Sequence, residues 1–168
     1  MSVRILKGEI SGTGMKIGIV ASRFNSEVVE GLLTGAMEAL KEADVTDSDV
    51  VIVRVPGALE LALAVSKLVE SEELDGVIAL GCVIRGETAH FDHVSREAIS
   101  GLNRTGLELS LPVAIGILTV ENMEQARIRS GLDPDPSGGK QGRSRHRGRE
   151  AAEACLEMVN LLSRIAER

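Results

Sequence analysis

The chain has no tryptophan, no tyrosine and only two phenylalanines in 168 residues. An aromatic core is excluded, so the interior must be built from Val, Leu, Ile and Ala. Each ring stands beside polar residues, Phe24 next to Asn25 and Phe91 between His90 and Asp92. Aromatics placed outside the core point to a role there. Cysteine is also scarce. Cys82 and Cys155 lie in apolar contexts without metal-ligand spacing, so buried free thiols in a reducing compartment are expected, and neither a disulfide framework nor a metal site. No apolar run nears ~18 residues, and the N-terminus lacks an apolar signal region, so a soluble, cytoplasmic protein is expected. Positive charge is in deficit. Nineteen Lys and Arg against 25 Asp and Glu leave a net charge of −6, which disfavours nucleic acid and anionic membranes as partners. The one basic cluster (Lys140, Arg143, Arg145, Arg147, Arg149) falls in a Gly/Ser-rich stretch and reads as a solvated loop.

What is present is a regular alternation. The length favours one domain over residues 1–168. Four short apolar runs, Lys16–Ala21, Val50–Val55, Val77–Cys82 and Val113–Leu118, read as parallel strands covered on both faces. Helical patterns separate them. Val28, Val29, Leu32, Leu33, Ala36, Met37 and Leu40 mark the first, and Leu59, Leu63, Val65, Leu68 and Val69 the second. Val94, Ala98, Ile99 and Leu102 mark a third, Met123, Ala126 and Ile128 a short fourth, and Ala151, Cys155, Met158, Val159, Leu162 and Ile165 a strong last helix. Strand–helix alternation predicts a doubly wound α/β sandwich of three layers, with a four-stranded, mainly parallel sheet. Residues 1–14 form an N-terminal arm, in which Arg4–Ile10 reads as an extended segment whose hydrogen bonds go elsewhere, a neighbouring subunit's sheet being one destination. Residues 132–147, rich in Gly, Pro and Arg, read as a flexible loop before the last helix.

Ligands in such folds bind at the carboxyl ends of the strands. Those ends carry Ser22-Arg23-Phe24-Asn25, Pro56-Gly57-Ala58-Leu59-Glu60, Cys82 to His90, and Thr119-Val120-Glu121-Asn122. In the third, Gly86-Glu87-Thr88 sits where a strand turns into a helix, which leaves N–H groups for an anion. Gly86 permits close approach or positive φ, and Thr88 is the expected N-cap. An ordinary capped turn has the same residues. His90 at that mouth suits acid/base work at neutral pH, or is a plain surface residue. Asp92 and His93 nearby do not complete a metal site, because residues so close on a helix cannot all face one ion. Phe24-Asn25 offers a ring face beside an amide, suited to a flat heterocycle, or else a hydrophobic plug followed by an N-cap. Glu60 suits hydroxyl groups or the dipole of its own helix, and Arg129 suits a phosphate or the end of its helix. Each bland alternative stands singly; their meeting on one rim is the argument for a site.

VASRFN at 20–25, VPGALE at 55–60, GCVIRGETAHFD at 81–92, GILTVENMEQA at 116–126 and EAAEACLEMVNL at 150–161 together resemble the lumazine synthase family of riboflavin biosynthesis. The likeness runs from about residue 4 to 165, in order and spacing. It implies a flavodoxin-like fold and the condensation of 5-amino-6-(D-ribitylamino)uracil with 3,4-dihydroxy-2-butanone 4-phosphate to 6,7-dimethyl-8-ribityllumazine, releasing phosphate and water. It implies no metal and no organic cofactor. By motif position, Phe24 and Asn25 would hold the pyrimidine, with Ala58, Leu59 and Glu60 along the ribityl chain. Cys82, Val83 and Ile84 would offer backbone groups to the ring. Gly86, Glu87 and Thr88 would cradle the phosphate with Arg129 of a neighbouring subunit, and His90 would shuttle protons. The family forms homopentamers with the site between neighbours, and some members stack twelve pentamers into a shell.

This chain departs from the family at named places. Leu59 stands where many members have Phe, and Ile115 where a neighbour's Phe is usual, so two aromatic walls are aliphatic. The lysine usual shortly after Arg129 is replaced around Leu132-Asp133, and Asn-Lys-Gly before the last helix reads His146-Arg147-Gly148, which makes Arg147 a stand-in. The longer 132–145 segment should crowd contacts between pentamers, so an isolated pentamer is expected. Two competing readings are an archaeal-type riboflavin synthase, which needs no phosphate turn, and a non-catalytic flavin- or lumazine-binding or shell-forming homologue.

Overall fold

The computed structural model describes residues 3–136 and 145–167. The four apolar runs become β1 (Ile17–Ser22), β2 (Val50–Val55), β3 (Gly76–Ile84) and β4 (Val113–Val120). β3 and β4 run past the expected ends at Cys82 and Leu118, and so reach into the motif turns. Between and after them lie α1 (Ser26–Glu42), α2 (Leu61–Ser71), α3 (His90–Leu109), α4 (Met123–Arg129) and α5 (Arg147–Ala166). Every strand pairing is parallel, in the order β2-β1-β3-β4. The chain therefore builds outward to β2 and then crosses back to β3. That reversal leaves a crevice between the carboxyl ends of β1 and β3.

Side chains alternate across each strand, so the sheet has two different faces. Ile17, Ile19, Ala21, Ile78, Leu80 and Cys82 pack with α1 and α5. Val20, Val77, Ala79 and Ile117 pack with α2 and α3. On the first face α5 lies tight on α1, and a Cβ at Gly148 would overlap the Leu32 carbonyl oxygen. Arg149 is only 6% exposed there, and pairs with Glu42 at 2.7 Å and Glu38 at 3.4 Å on α1. His146 caps α5, its Nδ1 accepting from the Arg149 N–H at 3.5 Å.

Several expectations about faces need correction. In α2 the buried residues are Leu61, Val65 and Leu68, while Leu59 lies before the helix and Leu63 is exposed. Leu61 is the core leucine, and about half a helical turn separates it from exposed Leu63. In α5 Ala152 and Leu156 are buried, whereas Met158, Leu162 and Ile165 are partly exposed. Residues 3–10 form no strand; they lie along α5. Asn160 donates to the Glu9 and Ser11 carbonyls, both at 2.8 Å, and Arg164 donates to the Lys7 carbonyl at 2.7 Å and pairs with Glu9. Val3 and Ile5 stay exposed.

The 132–147 segment is anchored at both described ends. Gly131 takes a positive φ of 75°, and Leu132 N–H then donates to the Arg127 carbonyl at 2.9 Å and closes α4. Arg147 already belongs to α5. Residues 137–144, with Lys140 and Arg143, lie outside the described residues. The described members of the basic cluster are paired, Arg145 with Asp135, Arg147 with Glu150 and Arg149 with Glu42.

Candidate active site

The turns after β1, β2 and β3 are laced to one another before any side chain is considered. Arg23 N–H donates to the Val55 carbonyl at 2.8 Å and Phe24 N–H to the Pro56 carbonyl at 3.1 Å. These two bonds carry β1 pairing into the β2 turn. Asn25 then adopts a left-handed conformation (φ 55°, ψ 48°), which Asn tolerates better than most residues. It precedes α1, yet its side chain does not cap the helix. Its Nδ2 donates instead to the Cys82 carbonyl at 3.0 Å, tying the β1 turn to β3.

β1 pairs with β3 only as far as Ala21–Leu80, whereas β3 pairs with β4 as far as Ile84–Val120. Gly81–Ile84 is therefore an edge on its β1 side, inside the crevice. Edge backbone groups need partners. Asn25 takes one; a ligand with a flat polar edge suits the rest.

The crevice is a cavity of about 370 Å³. Phe24, Ala58, Leu59, Glu60, Cys82, Val83, Ile84, Gly86, Thr88 and His90 line it, all of them singled out from the sequence. Gly57, Phe91 and Val94 line it too, and had been assigned no part in the site. The signal for the last two was present, because 90, 91 and 94 share one helical face. Phe24 is 70% exposed, so its ring is spent on the cavity and not on the core.

The turn at 86–89 leaves backbone donors free. Among the described residues, the N–H groups of Gly86, Glu87 and Thr88 donate to no protein acceptor. A Cβ at Gly86 would meet open space, and its φ is not positive, so its smallness matters here for access. Thr88 is not the N-cap. α3 starts at His90 with Ala89 before it, and Thr88 Oγ1 accepts from His90 N–H at a long 3.4 Å. Hydroxyl and turn amides thus sit beside the imidazole at one mouth.

Five candidates are not among the residues lining this cavity within one chain: Asn25, whose amide is spent on Cys82, and the four that follow. Arg129, at the end of α4, is exposed and makes no ion pair among the described residues. Ile115 is half-buried in β4, against the α2–α3 face. Arg147 pairs with Glu150 at 3.3 Å. Glu87 is exposed in the turn without lining the cavity. Asp133, near the position of the family's usual lysine, is held by Arg127 in a two-point contact at 2.9 Å, with Glu27 of α1 on the same guanidinium at 2.6 Å. Arg127 keeps the Asp133 carboxyl below its ordinary range.

Cys82 lies at the cavity, but burial pushes its thiol up to about 11. Burial, with Asp75 adding to it, lifts Cys155 to about 12. Neither is a nucleophile at neutral pH. Among the described residues, no three His, Cys, Asp or Glu side chains stand close enough to share a metal ion, and no helix is long and apolar enough to cross a membrane.

A family model described as 6,7-dimethyl-8-ribityllumazine synthase matches residues 14–163, most of the chain. With the strand-end motifs and the parallel α/β sheet in agreement with that match, the chain belongs to the 6,7-dimethyl-8-ribityllumazine synthase family, transferases of riboflavin biosynthesis.

Proposed function

We propose that the crevice between β1 and β3 is the seat of the family's condensation, and that His90 is its proton-transfer residue. The pyrimidine stacks on Phe24 and meets the open edge of β3 at Val83 and Ile84. Its ribityl hydroxyls run toward Glu60, past Ala58 and Leu59. The phosphate of the ketone sits on the Gly86–Thr88 amides. The amine of the pyrimidine adds to the C2 ketone and water leaves to give a Schiff base; loss of the C3 proton then expels phosphate from C4, and the ribityl-bearing nitrogen closes the ring on C3, now a carbonyl, with loss of a second water. Each step needs a proton moved and a phosphate held; none needs a strong nucleophile. Holding two substrates together supplies much of the rate. His90 adds acid/base help of about 10²–10⁴-fold.

One observation carries this reading. Gly86 and Thr88, whose amides find no protein acceptor, line the same cavity as His90 and Phe24. The chain is further proposed to act as one domain, in the cytoplasm, and as a homopentamer. Support for assembly comes from exposed Val3, Ile5 and Leu107, and from Arg129, a cation outside its own chain's cavity. Arg129 of a neighbouring copy is then the phosphate's cation, and Ile115 of that copy an apolar wall.

Mixing purified protein with both substrates tests the activity by lumazine fluorescence and phosphate release, expected in equal amounts. A protein that binds lumazine but makes none is the non-catalytic homologue. One that turns lumazine into riboflavin is a riboflavin synthase. Solution mass tests the pentamer, and a monomer in solution overturns it.

A further inference from the structure

Arg85 is given no part in the roles above, yet it makes contacts on both sides of the anion turn. It follows the last residue of β3, and its N–H still donates to the Val120 carbonyl at 2.9 Å. Its side chain then turns back over the start of α3. Nε donates to Glu121 Oε2 at 2.8 Å, and Nη1 and Nη2 reach the two oxygens of Asp92 at 3.4 Å. Cζ stands 4.3 Å from the centre of the Phe91 ring. The guanidinium does not line the cavity. Its partners, Asp92 first and then Glu121, raise its pKa above the ordinary value.

One side chain thus spans the whole anion turn. Arg85 precedes Gly86, and Phe91 and Asp92 follow His90 directly. The amides of 86–88 are unpartnered, so no backbone bond from them fixes the turn's shape. Glu121 belongs to the neighbouring turn after β4, so the same guanidinium also ties the assembly to the sheet. There is an electrostatic side as well. Glu87, Asp92 and Glu121 place three carboxylates around a seat meant for a dianion, and Arg85 pairs with two of them. Isolated exposed ion pairs contribute little, but a forked arginine shared among two carboxylates and a ring is a network with one geometry.

We propose that Arg85 is a positioning residue, a clasp that holds the Gly86–Ala89 turn and His90 in the arrangement that receives the phosphate-bearing substrate. This rests on the reading of the crevice as the phosphate-ketone site. Arg85→Ala, Arg85→Lys and Asp92→Asn are assayed beside the wild type, varying each substrate in turn, with inorganic phosphate as a separate probe of the turn by calorimetry. In Arg85→Ala, KM for the phosphate-bearing ketone rises about 10-fold or more, since small misplacements cost that much, while KM for the aminopyrimidine stays within about 2-fold. Inorganic phosphate binding weakens in parallel. Arg85→Lys falls between, because it keeps the charge and loses the fork. Asp92→Asn moves in the same direction by less.

Two results overturn the clasp. One is an Arg85→Ala enzyme with unchanged KM for the ketone. The other is an equal rise in both KM values, which marks general loosening. If Arg85→Ala fails to fold, the Lys and Asn variants decide by the same split. A wild type that makes no lumazine overturns the site reading, and the clasp is then judged on phosphate binding alone: weaker in the variants supports it, equal overturns it. A wild type that binds no inorganic phosphate either overturns both.

Discussion

The two faces of the sheet are finished to different degrees. On the α1–α5 face, α1 buries nine of its 17 residues, and α5 seven of its 20, Arg149 included. On the α2–α3 face, α2 buries three of 11 residues and α3 only Ala98 and Leu102 of 20. Leu107 of α3 is 74% exposed. So narrow a buried stripe leaves apolar surface of this helix uncovered, in keeping with the proposed assembly. The cavity lies on this unfinished face. One face of the sheet is therefore closed by its own helices, and the other carries the proposed site and most of the unburied helix surface. Changes on the two faces should separate into losses of fold and losses of activity.

The largest separation is expected at His90. His90→Ala lowers turnover about 10²-fold or more, without abolishing it, and leaves thermal stability unchanged, because the side chain is exposed. An unchanged rate removes His90 from the mechanism. Gly148→Ala is the mirror case. The new methyl meets the Leu32 carbonyl, a backbone atom that cannot swing away, so α5 must lift from α1 at about 3 kcal/mol or more, read in denaturant unfolding. A loss below about 1 kcal/mol shows that the closed face is not rigid.

A smaller effect is expected at Leu59, which lines the cavity. Leu59→Phe restores a ring face and tightens the pyrimidine substrate by about 1 kcal/mol, seen as a lower KM for that substrate alone. The smallest is a pH effect on the closed face. His146 is wedged against Gly35 and Gly131, and burial chiefly lowers its pKa from 6.5; Arg149 adds to this, and Glu38 and Glu150 oppose it. The unfolded chain therefore binds this proton more readily than the folded one. The contribution is complete above about pH 6.5 and is lost as the pH falls from there through the folded pKa. His146→Asn keeps an N-cap acceptor and should flatten the dependence of the melting temperature on pH in that window. A variant as pH-sensitive as the wild type excludes His146 as its source.

The parallel sheet was legible because both-face burial writes strands as unbroken apolar runs, and because helices of three or more turns show their period. The cavity lining was legible because strand-end motifs collect on one rim, which brought ten of the expected residues together. The misses have local causes. Leu61 and Leu63 differ in burial although both are leucines two residues apart, and composition does not record phase. Thr88 looked like a cap, but α3 begins two residues later at His90. Asn25 looked like a cap too, and its amide is used across the crevice on Cys82. Arg85 left no mark, because its partners are Asp92, seven residues on, and Glu121 from another turn. Arg129 and Ile115 lie away from their own chain's cavity; both are expected to serve a neighbouring subunit's site, which remains a proposal.

The most direct measurement is a titration of wild-type protein with both substrates, following lumazine fluorescence and free phosphate together. The expected result is one phosphate for each lumazine formed, with inorganic phosphate competing against the ketone and not against the pyrimidine. Phosphate that competes with neither substrate, or lumazine bound without ever being made, contradicts the assignment of the 86–88 turn and His90 to a single synthetic site.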